Sequence, residues 1–179
     1  MYVKVAFFLL IIIVIITGCA NTQSVDEFTT AQTSGNFSDQ GAIAFLDDDF
    51  RFTIILVKDL EWALESMKIA DYGLPHISQF KRSEKITPFL TFGTFGRENI
   101  DITYSVKLQK PDGKFASRKY HDLKTVRSPL YAVGAYRAQE FATISFNEKD
   151  ALGTYQFHII IKDRGKVINA CIMQFQLIE

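Results

Sequence analysis

The chain has 179 residues, with 20 basic and 20 acidic side chains that leave it formally neutral at pH 7. That balance excludes a protein drawn to nucleic acid or to an anionic membrane surface by general electrostatics. Two cysteines exclude a disulfide-dense scaffold, and 16 phenylalanines and 7 tyrosines against 4 prolines favour sheet over helix.

The chain opens with Lys4, an uncharged apolar run from Val5 to Ile16, and the small residues Thr17 and Gly18. This is the layout of a secretion signal over residues 1–18. The run is too short to span a bilayer core, which takes about 20 helical residues. Ile16-Thr17-Gly18-Cys19 resembles the lipobox of bacterial lipoproteins. The resemblance implies a diacylglyceryl thioether on Cys19, cleavage before it and acylation of the new amine. Several acyl chains, at about 0.8 kcal/mol per buried methylene, hold a protein to a membrane durably. Ala20, where Asp would be the retention signal, resembles the Gram-negative pattern sent on to the outer membrane. The expected location is therefore the bacterial cell envelope, lipid-anchored on the outer membrane and facing the periplasm. With Cys19 lipidated, Cys171 has no intramolecular partner, and its place on the apolar side of an alternating strand predicts a buried, inert thiol.

Residues 19–41 are polar and poor in aliphatics, and are expected to form a flexible tether. The folded domain is expected over 42–179. Ile43 and Phe45 predict a short strand, and Asp47-Asp48-Asp49 a turn. Phe50, Phe52, Ile54 and Leu56 alternate with Arg51, Thr53, Ile55 and Val57, which predicts a strand apolar on both faces. Asp59 is placed to cap a helix near 59–71, with Leu60, Ala63, Leu64 and Met67 along one side and Gly73 and Pro75 ending it.

From Ile86 the pattern turns to sheet. Ile86–Phe95 carries aromatics on both parities. Over Asn99–Gln109, Ile100, Ile102, Tyr104, Val106 and Leu108 share one face, opposite Asp101, Thr103, Ser105, Lys107 and Gln109. A slip of one residue would reverse those faces, so the register is well specified. Pro111-Asp112-Gly113 predicts a tight turn, with a strand from Lys114 to about Tyr120 and an irregular loop over His121–Gly134. Phe141–Phe146, Tyr155–Ile161 and Val167–Ile178 follow as strands, the last with Val167, Cys171, Met173, Phe175 and Leu177 on one side. About seven strands separated by turns predict an antiparallel sandwich.

Candidate chemistry is sparse. His76, His121 and His158 are far apart in sequence, and His158 shares a strand parity with Gln156 and Lys162 that predicts exposure. Asp47-Asp48-Asp49 lacks the spacing and terminal Glu of a calcium loop and is expected to be a solvated turn. Gly93-Thr-Phe-Gly96 lacks the Lys-Ser/Thr of a phosphate cradle. No Gly-x-Ser-x-Gly elbow occurs. Glu61 and Glu65 are expected to share an exposed helix face with Lys58 and Lys68. No catalytic residue, metal or cofactor is expected. The segment Ser128–Tyr136 is the candidate partner contact, since Leu130, Tyr131, Val133 and Tyr136 have the composition of a protein interface; the competing expectation is that they seal one end of the domain.

The hairpin Ile102–Gly113 and the run Leu152-Gly-Thr-Tyr-Gln-Phe-His-Ile-Ile-Ile-Lys-Asp163 resemble immunoglobulin-like β-sandwich domains of secreted bacterial proteins. The whole chain is similar to a group of uncharacterised proteobacterial lipoproteins that end in such a sandwich. The resemblance implies a mainly β, antiparallel immunoglobulin-like sandwich with one short accessory helix. The expected function, by analogy with secreted sandwiches that offer edges and loops to other proteins, is a non-enzymatic envelope assembly or accessory protein, including a toxin-neutralising role, that binds an envelope protein partner. The alternative is a periplasmic module binding glycan or another small ligand, with Tyr131 and Tyr136 as the start of an aromatic platform.

Overall fold

The computed structural model describes residues 37–47, 50–66, 77–94, 99–127 and 135–179. The described residues are mainly β, with one short helix. The strands are β1 (Phe37–Ser38), β2 (Ala42–Asp47), β3 (Phe50–Val57), β4 (Gln79–Lys81), β5 (Lys85–Thr94), β6 (Ile102–Gln109), β7 (Phe115–Arg127), β8 (Ala135–Ala138), β9 (Ile144–Ser145), β10 (Gly153–Asp163) and β11 (Lys166–Ile178). The helix α1 is Leu60–Ser66. Strand pairing thus reaches Phe37–Ser38, inside the stretch read as a tether.

The strands form one sheet in the order β1-β11-β10-β6-β7-β8-β5-β3-β2, with β4 attached to β11 and β9 to β5. All pairings are antiparallel except those of β1 and β4, which run parallel to β11. Local chemistry sets the hairpins. Arg164 and Gly165 both adopt positive φ (50° and 75°) between Asp163 and Lys166. That is the two-residue turn whose twist matches paired strands. At the β6–β7 turn, Gly113 takes φ 78°, its amide donates to the Lys110 carbonyl at 2.9 Å, and Asp112 Oδ1 accepts from the Lys114 amide at 3.0 Å.

The sheet is open and curled. Its inward faces share one apolar cluster that includes Phe52, Ile54 and Leu56 of β3, Leu90 and Phe92 of β5, Tyr104 and Val106 of β6, Phe157 and Ile159 of β10, and Met173 and Phe175 of β11. Phe175 sits amid the rings of Phe80, Phe146, Tyr155 and Phe157, with centroids 5.2–6.0 Å away. The inward residues read from β6 and β10 are buried, among them Tyr104, Val106, Phe157 and Ile159. The apolar second face of β3 also has its cause, because Ile55 and Val57 pack with Phe89 and the buried Ala63 beneath α1. Asp59 caps that helix, its Oδ1 accepting from the Trp62 amide at 2.9 Å.

Four expectations need correction. Among the described residues there are eleven strands rather than about seven. Residues 121–127 are not irregular but form the second half of the 13-residue β7. Asp122, at φ 49° with its amide donating to Ser105 Oγ, kinks the strand. Beyond it Thr125, Val126 and Arg127 pair with β8, so β7 carries the chain from one half of the curl to the other. The strand expected over Phe141–Phe146 is only Ile144–Ser145, although Ala142 and Phe146 are buried as read. Val167 is 42% exposed rather than inward, because the β10–β11 register shifts between Ile161 and Lys162 and reverses its parity.

Candidate functional site

Several singled-out residues lie outside the described residues: Cys19, His76, Asp48, Asp49, Lys68, Gly96, Leu130, Tyr131 and Val133. Of the candidate contact, Tyr136 is described. It lies on β8 opposite Phe92, the two rings stacking at 4.7 Å with 6° between their planes, and it packs against the core cluster. Trp62 stands 47% exposed on α1, with Glu61 and Glu65 also exposed. Lys58 does not join that face; it pairs with Glu84 across to the β4–β5 turn at 2.7 Å. Cys171 is fully buried in the core, where burial pushes its thiol up to about 12.

Of the histidines, His158 departs from expectation. His121 is exposed on β7, but His158 is 1% exposed rather than facing solvent. It shares the parity expected with Gln156 and Lys162, yet that face of the sheet is itself buried: Ser105, Lys107, Ile160 and Ala170 are buried too. The His158 ring meets Phe115 edge-on at 5.0 Å, its Nε2 lies 3.1 Å from Gln109 Oε1, and its Nδ1 is buried with no hydrogen-bond partner. Lys107 Nζ stands 3.8 Å above the same Phe115 ring. Burial, and then the Lys107 charge, hold the imidazole down at about 4, so it is neutral at pH 7. Among the described residues no group of His, Cys, Asp and Glu side chains could hold a metal ion.

The loop joining β8 to β10 is fastened by tyrosines. Tyr104 Oη donates to the Glu140 carbonyl at 2.6 Å, Tyr120 Oη to Thr143 at 3.0 Å and Tyr155 Oη to Ala151 at 2.8 Å. Burial, reinforced by the Glu140 charge, raises the Tyr104 phenol well above its ordinary value, so it remains a donor. A recess of about 280 Å³ opens beside this seam, between Leu108, Ala116 and Tyr120 on one side and Thr143 and Ile144 on the other.

A larger cleft of about 800 Å³ lies where the β4–β5 turn meets the loop after β9, lined by Lys81, Arg82, Ser83, Phe146, Asn147, Glu148, Lys149 and Glu179. Both walls are stiffened locally. In the first, the Glu84 amide donates to the Lys81 carbonyl at 2.9 Å and Glu84 Oε2 accepts from the Lys81 amide at 2.7 Å. Burial alone would raise the Glu84 carboxyl, but the hydrogen bonds from Lys58 and the Lys81 amide outweigh it and leave it lowered. In the second, Asn147 Oδ1 accepts from the Lys149 amide at 2.9 Å, and Asp150 Oδ2 from the Asn147 amide at 2.8 Å. Arg82 joins the walls by donating from Nη2 to the Asp150 carbonyl at 2.9 Å, while its Nη1 lies 3.4 Å from Glu179 Oε1. The buried Arg82 Nε has no hydrogen-bond partner. No motif marks this cleft in the sequence, because its cations come from segments about seventy residues apart.

No protein-family model matches this chain, and no curated protein does. A solved family 123 glycoside hydrolase from Clostridium perfringens, described for glycolipid glycan hydrolysis, is similar with a TM-score of 0.40 and 10% identity over 78% of this chain. The chain spans 27% of that structure's length, and a likeness at this level carries no functional argument.

Proposed function

We propose that this chain is a lipid-anchored protein of the bacterial envelope, held through acyl chains on Cys19 at the periplasmic face of the outer membrane. There it binds another envelope protein as an assembly, accessory or toxin-neutralising factor, without carrying out a reaction. The observation that carries this reading is the run of Lys4, Val5–Ile16 and Thr17-Gly18-Cys19, whose hydrophobic length, small residues and cysteine position agree.

We read the curl as an irregular immunoglobulin-like sandwich with β7 passing between its layers. Tyr155, near the start of β10, donates back to the carbonyl of Ala151, four residues upstream. That is the tyrosine-corner arrangement of such sandwiches.

The test is the intact mass of the protein taken from membranes. The expected mass is that of residues 19–179 plus a diacylglyceryl group and an N-acyl chain, with Cys19→Ala abolishing both processing and membrane retention. A chain that keeps Met1, or carries an unmodified thiol at residue 19, sinks the proposal. Crosslinking of the anchored protein in intact cells then tests the partner. Absence of any stable protein neighbour removes that half of the reading.

A further inference from the structure

We propose that the cleft spanned by Arg82 is the receptor for an acidic segment of the partner, with the Arg82 guanidinium receiving a peptide carboxylate. The inference rests on the protein-binding reading above and assigns it a place and a chemistry.

The charges at the cleft are unevenly committed. Glu84 is held by Lys58 and by the Lys81 amide, and the Asp150 carboxylate accepts from the Asn147 amide. Lys81 and Lys149, by contrast, make no ion pair among the described residues, Lys81 reaching Glu84 only through its charge; Glu148 in the same lining makes none either, so the cations without an ion pair outnumber that carboxylate by one. Arg82 has one anionic contact, the 3.4 Å approach of Glu179, whose side chain is 82% exposed. A contact that long and that exposed contributes little. It nevertheless marks where a carboxylate sits: Glu179 is a loose internal occupant that an incoming carboxylate would displace. Arg82 is poised for the exchange, because its bond to the Asp150 carbonyl fixes the guanidinium plane before any ligand arrives. Phe146, buried at the same place, gives an apolar surface for the stem of a glutamate or a neighbouring side chain. The volume, about 800 Å³, suits a few residues of extended peptide.

An internal competitor gives the proposal an unusual signature, because removing a negative charge from an exposed residue should tighten binding. The test titrates the lipidated full chain, in detergent micelles, with a capped hexapeptide rich in glutamate and with its glutamine counterpart. The glutamate peptide should bind about tenfold or more tightly than the glutamine one and weaken as salt is raised. Glu179→Gln should tighten binding by about two- to fivefold, and Lys149→Gln should weaken it by about threefold. Arg82→Lys should weaken it by about tenfold or more, since an ammonium cannot hold the Asp150 carbonyl and a carboxylate from one fixed plane. Lys149 and Glu179 are exposed, so their variants read out binding even if the Arg82 variant proves unstable. Equal binding of the two peptides overturns the proposal, as does indifference to both Glu179→Gln and Lys149→Gln. A uronic acid oligomer binding tighter than the peptide also overturns it, because the cleft would then be a glycan site. A partner crosslinked in cells with no acidic-peptide binding sinks this cleft alone. Loss of the lipid or of any partner sinks the broader reading even if the peptide binds.

Discussion

Gly41 shows how much of this fold depends on single atoms. It takes φ 72° between β1 and β2, and a Cβ built there would lie 2.1 Å from the carbonyl oxygen of Ile77. Its own carbonyl accepts from the Leu56 amide at 2.7 Å, so the backbone has no freedom to withdraw. Gly165 takes nearly the same φ, 75°, but a Cβ there meets nothing within 4 Å. Gly165→Ala should therefore cost only the left-handed strain of about 1–2 kcal/mol. Gly41→Ala adds a backbone clash and should cost about 3 kcal/mol or more. Urea unfolding of the two variants checks this, and equal midpoints would mean that Ile77 does not crowd Gly41. His158 makes a second prediction at this scale. Its imidazole is pushed down from 6.5 to about 4 in the fold, so between those values the unfolded chain binds the extra proton and stability falls as pH falls. From pH 7.5 to 5 the loss attributable to His158 should be about 2 kcal/mol. Unfolding curves of the wild type and of His158→Gln at pH 7.5 and 5 isolate it: the variant should lose less stability. Parallel losses would refute a neutral, buried imidazole.

Among elements, α1 is the one whose existence hangs on local chemistry. Seven residues are too few for a helix to be stable alone, so it needs both its cap and the Ile55–Val57–Phe89 surface beneath Ala63. Asp59→Ala removes the acceptor of the Trp62 amide and should cost about 1 kcal/mol, whereas Asp59→Asn should be nearly neutral. Thermal unfolding of the pair separates loss of the cap from loss of charge. This element was legible because a cap and a helical period are written in adjacent residues. So were the inward residues of β6 and β10, which are buried where their parity placed them. What could not be read depends on pairing. The outward turn of Val167 follows from a register shift opposite Ile161, and nothing in the composition of Lys166–Ile178 announces it. The extension of β7 past Asp122 depends on β8 being there to receive it. The burial of His158 follows from Phe115, whose position is set by the β6–β7 pairing, and parity alone says nothing about what covers a face. The Arg82 cleft was hidden for the same reason: it exists where a turn and a distant loop are brought together by β4, β5 and β9.

For the whole molecule the open question is how a sheet with two free ends keeps its curl. The strand order begins at β1 and ends at β2, which are consecutive in the chain, so the two ends of the sheet are joined by a short connection. Phe37–Ser38 pair with Ile172 and Met173 of β11, Ser38 Oγ donates to the Ala42 carbonyl at 2.5 Å, and Gly41 crosses to meet Leu56. This short strap ties the β11 edge to the β2 edge and so opposes uncurling. A chain that begins at residue 42 keeps every residue of the apolar cluster but lacks the strap. It should still fold, with near-native circular dichroism, because β1 supplies only two ladder pairs. Its stability should drop by about 1–3 kcal/mol, the value of a few partly buried backbone hydrogen bonds. Hydrogen exchange should locate the change: amides along the outer edge of β11 near Ile172 and those of β2 should lose protection together, while β6 and β10 stay protected. Loss of protection on β11 alone would show that β1 merely covers an edge. Equal loss everywhere would show that the curl has no separable seam, and the strap would then be part of the cooperative core.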